Sequence, residues 1–312
     1  MAKELSASES EKHVLKLFQE GTTFNYNNST YCVTMSGKPK PSKANKGECK
    51  TDIYIKASNI SENKSSNTDK ELEIKISYKK PNADFLENKI LAQRAHAILG
   101  ETWSDIIQTA TTNINDRFEN RYLIFHSKCH GPEAGAITLG WRYEIVNNPS
   151  GDLVGALTLD ENQLLEIYAG NNLEESKRNS VVNEQEILNS GVPDYILCEY
   201  ASKLLTAQDA IDQMLPITDY ISANPNVYFA CKAVNYYPQK KKKFEGNRAL
   251  SVYVDWSVDG DKLSHTIKFD QPLTFFPKDI SKNLESALKQ LNIQQTSEIT
   301  IDLVKDPFII HR

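Results

Sequence analysis

Alternation of apolar and polar positions is strictest at residues 71–78, Glu-Leu-Glu-Ile-Lys-Ile-Ser-Tyr. Leu72, Ile74, Ile76 and Tyr78 point one way, and Glu71, Glu73, Lys75 and Ser77 the other, which is the two-residue period of a half-buried strand. Residues 52–56, β-branched and aromatic between polar ends, read as a second strand, and residues 31–35 as a short one. Near the start, Ser6 with Glu9 three positions later is a capping box. It opens a helix that runs to about Glu20 and stops at Gly21, with Val14, Leu15, Leu17 and Phe18 on its apolar face. Glu11 falls within that face, an odd place for a carboxylate.

The later pattern predicts helices at 84–99, stopped by Gly100, and at 103–118, then strands at 122–125, 141–146 and 153–159. Residues 171–189 carry few apolar positions and read as a linker or a helical excursion. A helix over 201–215 ends at Pro216. Residues 249–256 and 264–269 form a β pair around Asp259-Gly260, and a helix at 279–291 precedes a final strand at 299–304. No internal repeat is present.

Composition narrows the classes of function. The chain of 312 residues is 39% apolar and 25% charged, enough to build a packed core. Thirty-six basic against 41 acidic residues give −5, which excludes a uniformly basic nucleic-acid coat but leaves local basic surfaces open. No apolar run approaches the ~20 residues of a membrane helix, and the polar start is neither a signal nor a transit peptide. Five widely spaced cysteines without CxxC fit reduced thiols in a cytoplasmic protein. No phosphate-binding GxxxxGK[ST], GxGxxG or GxSxG motif occurs. The stretch from His126 to His130 lacks a second ligand pair for zinc.

The chemically informative residues are Asp52, Glu73 and Lys75. Asp52 opens one strand, and Glu73 and Lys75 share a face of the next. If the two strands pair as a hairpin, the three can converge. Two carboxylates can hold Mg²⁺, a hard ion that prefers oxygen ligands. A bound metal offsets phosphoryl charge and acidifies water, and a neighbouring ammonium orients that water. The set suits hydrolysis of a phosphodiester.

Asp52, then Glu73-Ile-Lys75, then the 84–99 helix resembles the PD-(D/E)xK nuclease superfamily, specifically its type II restriction endonuclease branch. Thr51 stands where that pattern has proline, and the matched region covers about residues 31–120. The resemblance implies an α/β (α+β) restriction-endonuclease-like fold, a mixed β-sheet core flanked by helices, with an additional C-terminal α+β region. It implies a catalytic core over 1–170 and a DNA-recognition and dimerisation region over 171–312. It also implies sequence-specific cleavage of double-stranded DNA with Mg²⁺ held by Asp52 and Glu73, a water oriented by Lys75, a homodimer, and a methyltransferase partner that protects host DNA. Members often place an extra acid from an early helix beside the metal, which makes Glu11 a further candidate.

Phosphate contacts are expected from a basic, mobile loop at 36–50 carrying Lys38, Lys40, Lys43, Lys46 and Lys50, and from Ser77 and Lys79 beyond the catalytic pair. A second basic segment holds Lys240, Lys241, Lys242, Lys243 and Arg248, and Asn247 and Arg248 are candidates for reading bases. Two alternatives are open: a structure- or modification-directed nuclease of the same superfamily, and a non-catalytic DNA-binding protein that kept the fold.

Overall fold

A computed structural model describes residues 5–43, 47–61, 70–83, 85–88, 90–127, 135–240, 244 and 246–311. It is a mixed α+β structure whose chain separates into two compact units, residues 1–83 with 160–225 and residues 84–159 with 226–312. The boundary expected at 170/171 is therefore replaced by a discontinuous division: the second unit begins just after the informative strands, and the chain returns to the first unit at 160. No helix among the described residues is long and apolar enough to cross a membrane.

The first unit opens with helix α1, Ala7–Leu17, whose Ser6–Glu9 capping box forms as expected. Strands β1 (Thr23–Tyr26) and β2 (Ser29–Gly37) make a hairpin. Its two-residue loop, Asn27-Asn28, takes φ of 47° and 62°, the left-handed pair that matches the twist of a hairpin. Strands β3 (Ile53–Asn59) and β4 (Glu71–Lys79) continue the antiparallel sheet, and the Tyr195–Cys198 strand adds to β4 in parallel. The two-residue strand Leu215–Pro216 closes the six-stranded sheet. Ile53, Ile55, Ala57, Ile74, Ile76 and Tyr78 form one buried face of this sheet, and Val14 and Phe18 of α1 are buried in the same core. Burying such a face is the main favourable contribution to the unit.

The second unit is a sheet in the order Lys262–Lys268, Val252–Asp259, Ala136–Val146, Val227–Tyr236, Val154–Leu157. The helix Pro277–Gln290 packs on the Val252–Asp259 strand. The Asp259-Gly260 turn joins the expected β pair, with Asp259 opposite Lys262.

Several elements differ from the pattern reading. The 84–99 span is a short strand, Phe85–Glu87, followed by the helix Ala92–Leu99. The 103–118 helix breaks into Trp103–Thr112 and Asn115–Glu119. The 201–215 span is a 3₁₀ turn followed by Ala207–Gln213, because a capping box of Thr206 and Asp209 restarts the helix. The 171–189 linker folds as the four-residue helix Glu175–Arg178 and a hairpin of Ser180–Val182 with Gln185–Ile187. The final strand expected at 299–304 is a run of 3₁₀ turns. The long strand Val227–Tyr236 is largely buried along its length, which weakens its two-residue period, and the short helices Glu161–Tyr168 and Ile217–Ala223 span only about two turns each.

Phe18 is fully buried and meets Phe24 edge-on, with ring centroids 6.2 Å apart. Phe18→Ala is expected to lower stability by about 3–5 kcal/mol, measured by urea denaturation followed by far-ultraviolet circular dichroism. A loss below about 1 kcal/mol would contradict the packing of α1 on the sheet.

Candidate active site

Strands β3 and β4 pair as the hairpin the sequence suggests, but their register directs Asp52 away from Glu73. Ile53 pairs with Ile76, Tyr54 with Lys75, and Lys56 with Glu73. The Asp52 N–H also donates to the Ile76 carbonyl, at 2.9 Å, so Asp52 and Ile53 are both set against Ile76. The ladder with β4 ends there, since β3 begins at Ile53 and the Thr51 N–H goes to Gly191, so the Asp52 side chain is not held to the regular alternation of the strand. The Asp52 carboxylate turns to the far end of β4. Its Oδ2 accepts the Tyr78 N–H at 2.9 Å and lies 3.8 Å from Lys79 Nζ. Glu73 is three positions back from Ile76, about 10 Å by strand rise.

Glu11 comes to Asp52 from α1. It lies three and seven positions before Val14 and Phe18, so the helical period puts it on the face that packs against the sheet. That explains the carboxylate on an apolar face. Glu11 Oε2 accepts from Lys38 Nζ at 2.5 Å, and Lys38 is the first residue after β2. The Asp52 side chain is 14% exposed. Burial lifts its carboxyl above the ordinary value. Lys79 opposes the lift, Glu11 adds to it, and Lys38 and the Tyr78 N–H oppose it. Lys38 is raised: burial works against its charged form, but the Glu11 hydrogen bond and attraction by Glu11, Asp52 and Glu48 outweigh that. The result is two carboxylates that repel each other and two ammonium groups between and beside them.

Glu73 and Lys75 belong to a second group. Lys75 Nζ lies 3.3 Å from Asp194 and donates to the Asn189 carbonyl at 3.4 Å. Asp194 just precedes the Tyr195–Cys198 strand, whose parallel register sets Tyr195 against Ile76 and so Asp194 beside Lys75. Burial raises the Asp194 carboxyl, Lys75 lowers it, and Glu73 raises it. The buried Tyr54 hydroxyl is pushed up by burial and by Glu73 beside it. Asp52 and Glu73 thus stand in separate groups.

The basic loop is tied down where it is described. Lys40 exchanges both backbone hydrogen bonds with Val181, and the Lys50 and Thr51 N–H groups both donate to the Gly191 carbonyl. Lys50 Nζ donates to the Ile167 carbonyl at 2.7 Å, which commits its ammonium to the protein. Lys40 and Lys43 are exposed, whereas Ser77 is 1% exposed and is removed from any surface offered to phosphate. Lys240 lies 4.7 Å from the centre of the Tyr237 ring, Asn247 is exposed and Arg248 is half-buried. Lys46, Lys241, Lys242 and Lys243 lie outside the described residues. Among the described residues, no group of three or more His, Cys, Asp and Glu side chains is arranged to hold a metal ion.

Comparisons with protein families, with curated proteins and with solved structures found no match. The residues that pattern reading undervalued are Lys79, which had been given a phosphate contact only, and Lys38. The register of β3 on β4 is what hid them, and nothing in the local sequence announces it.

A carboxyl with a raised value in the folded state holds its proton more tightly there than in the unfolded chain. Ionising Asp52 therefore costs stability; the cost is absent below the unfolded value of about 4 and complete once pH passes the folded value. In EDTA at pH 7, Asp52→Asn is expected to melt higher than wild type by differential scanning calorimetry. The gap should close as pH falls toward about 4. A variant that melts lower at pH 7 would mean that the two ammonium groups overcompensate the burial.

Proposed function

We propose that this protein is a Mg²⁺-dependent endodeoxyribonuclease of restriction type, with its chemistry carried by Asp52, Glu11 and Lys79. The supporting observation is an Asp52 carboxylate only 14% exposed, repelled by Glu11, with Lys79 Nζ 3.8 Å away. Carboxylates near enough to repel each other favour a cation that neutralises both. Mg²⁺ is commonly held by one or two carboxylates with waters and substrate phosphate, so the donor set fits without a third acid. When bound, the ion would supply Lewis-acid stabilisation of the phosphoryl oxygens and a more acidic water.

The protein's own groups do the rest. The Tyr78 N–H fixes Oδ2 of Asp52, which leaves the remaining carboxylate oxygen to face the cation. Lys79 presents an ammonium to a phosphate oxygen and to the attacking water, where charge develops in the transition state. Lys40 and Lys43 position the backbone of the duplex. In this reading the lysine of the PD-(D/E)xK pattern is Lys79, Ser77 stands where the pattern has its second acid, and Glu11 takes that acid's role. The mixed sheet with α1 against it is in keeping with a restriction-endonuclease-like core. Sequence recognition falls to the second unit around Tyr237, Asn247 and Arg248. Cutting both strands most simply takes two copies of the site, hence a homodimer. A methyltransferase would guard the host.

A second reading has a specific observation behind it. Asp194, preceded by Pro193, stands beside Lys75 with Glu73 close enough to act on it, so the acid–acid–lysine set recurs there. Asp194 is 48% exposed, however, against 14% for Asp52.

Unmethylated phage DNA incubated with the protein is expected to give discrete bands with Mg²⁺ and none with EDTA. Asp52→Asn and Lys79→Met should each lower the rate by about 10²–10³-fold, whereas Glu73→Gln and Lys75→Met should lower it by less than about tenfold. The reverse pattern, with Asp194→Asn inactive and Asp52→Asn active, would transfer the chemistry to the Asp194 group. A smear would point to a nuclease without sequence preference, and binding without cleavage to a non-catalytic protein.

A further inference from the structure

Glu11, Asp52, Lys38 and Lys79 have charges that cancel as they stand. A divalent cation entering between the carboxylates would leave the group strongly positive unless an ammonium withdrew. The two lysines differ in how they are held. Lys79 belongs to β4, and its backbone is registered against Cys198 on the parallel strand. Lys38 is the first residue after β2, pairing resumes only at Lys40 with Val181, and its side chain is 40% exposed. Lys38 Nζ also sits directly on Glu11 Oε2, drawn there by Glu11, Asp52 and Glu48. An ammonium on a flexible four-carbon stem is the kind of group that can leave such a place without moving the backbone.

We infer that Lys38 is a built-in stand-in for the divalent cation: it neutralises Glu11 in the metal-free protein and is displaced when the cation binds. This rests on the reading of Glu11 and Asp52 as the cation-holding pair. Mg²⁺ exchanges its waters reluctantly, so it gains an inner carboxylate oxygen only if that oxygen is vacated. The displaced ammonium then stands on the same segment as Lys40 and Lys43, where an anionic phosphodiester is its natural next partner. Cation binding and phosphate binding are thereby coupled through one side chain, each favouring the position of Lys38 that the other needs. Without a cation, the carboxylates are kept from unproductive repulsion and the loop from grasping phosphate.

The test is isothermal titration of the full-length, EDTA-stripped protein with Mn²⁺ alone, without DNA. Lys38→Met is expected to bind Mn²⁺ about five- to tenfold more tightly than wild type. Lys43→Met makes the same change of net charge on the same loop and should stay within about twofold. Lys38→Arg keeps the cation and should also stay near wild type, which separates displacement from a general disturbance of the loop. Asp52→Asn should abolish the binding. Equal affinities for wild type and Lys38→Met, with binding still dependent on Asp52, would overturn the displacement and leave the metal site standing. No Asp52-dependent Mn²⁺ binding in either protein would overturn the metal reading and this inference together.

Discussion

The placement of one carboxylate organises the candidate site. Asp52 is largely covered just before β3, where an ionised group is costly unless its charge is answered. The fold answers it with the Tyr78 N–H, with Lys79 at the end of β4, and at one remove with Lys38, while α1 brings Glu11 into repulsive range. Nothing in the packing of a sheet calls for such an arrangement. Strained electrostatics of this kind cluster where a protein does chemistry, and here they occur where an early helix and two strand ends meet.

The supporting structure serves that placement. The antiparallel run from β1 to β4, with its isoleucine face, gives α1 a rigid floor, and Val14 and Phe18 anchor the helix so that Glu11 points inward. Asp52 lies just before β3, which frees its side chain from strict alternation. Backbone bonds from Lys40 to Val181, and from Lys50 and Thr51 to Gly191, hold both ends of the basic segment. A segment fixed at its ends with Lys43 exposed between them can offer a cation to a polyanion at modest entropic cost.

How far all this was legible in the sequence depends on the range of each interaction. The Ser6–Glu9 capping box, the alternation of β4, the Asp259-Gly260 turn and the β3–β4 hairpin are local and were readable. So was Glu11, because a carboxylate on an apolar helical face is a visible contradiction. Register was not readable. The pairing of β3 with β4 sets Lys56, not Asp52, opposite Glu73 and leaves Asp52 near Tyr78 and Lys79, and no residue type marks such a register. The pairing of Lys75 with Asp194 joins positions far apart in the chain, through a parallel strand that forms only after the excursion through the second unit. The apolar-poor stretch 171–189 made a cut at 170/171 look natural, since composition does not reveal that a chain leaves one core and returns to it.

The central claim is that the cation belongs to Glu11 and Asp52. A crystal grown with Mn²⁺ and measured at a wavelength where manganese scatters anomalously addresses it directly. The account predicts an anomalous peak bonded to Asp52 and shared with Glu11, at about the 2.1 Å typical of small divalent ions with oxygen ligands, and Lys38 no longer on Glu11. A peak bonded instead to Glu73 or Asp194, with the Glu11–Lys38 pair intact, would contradict it.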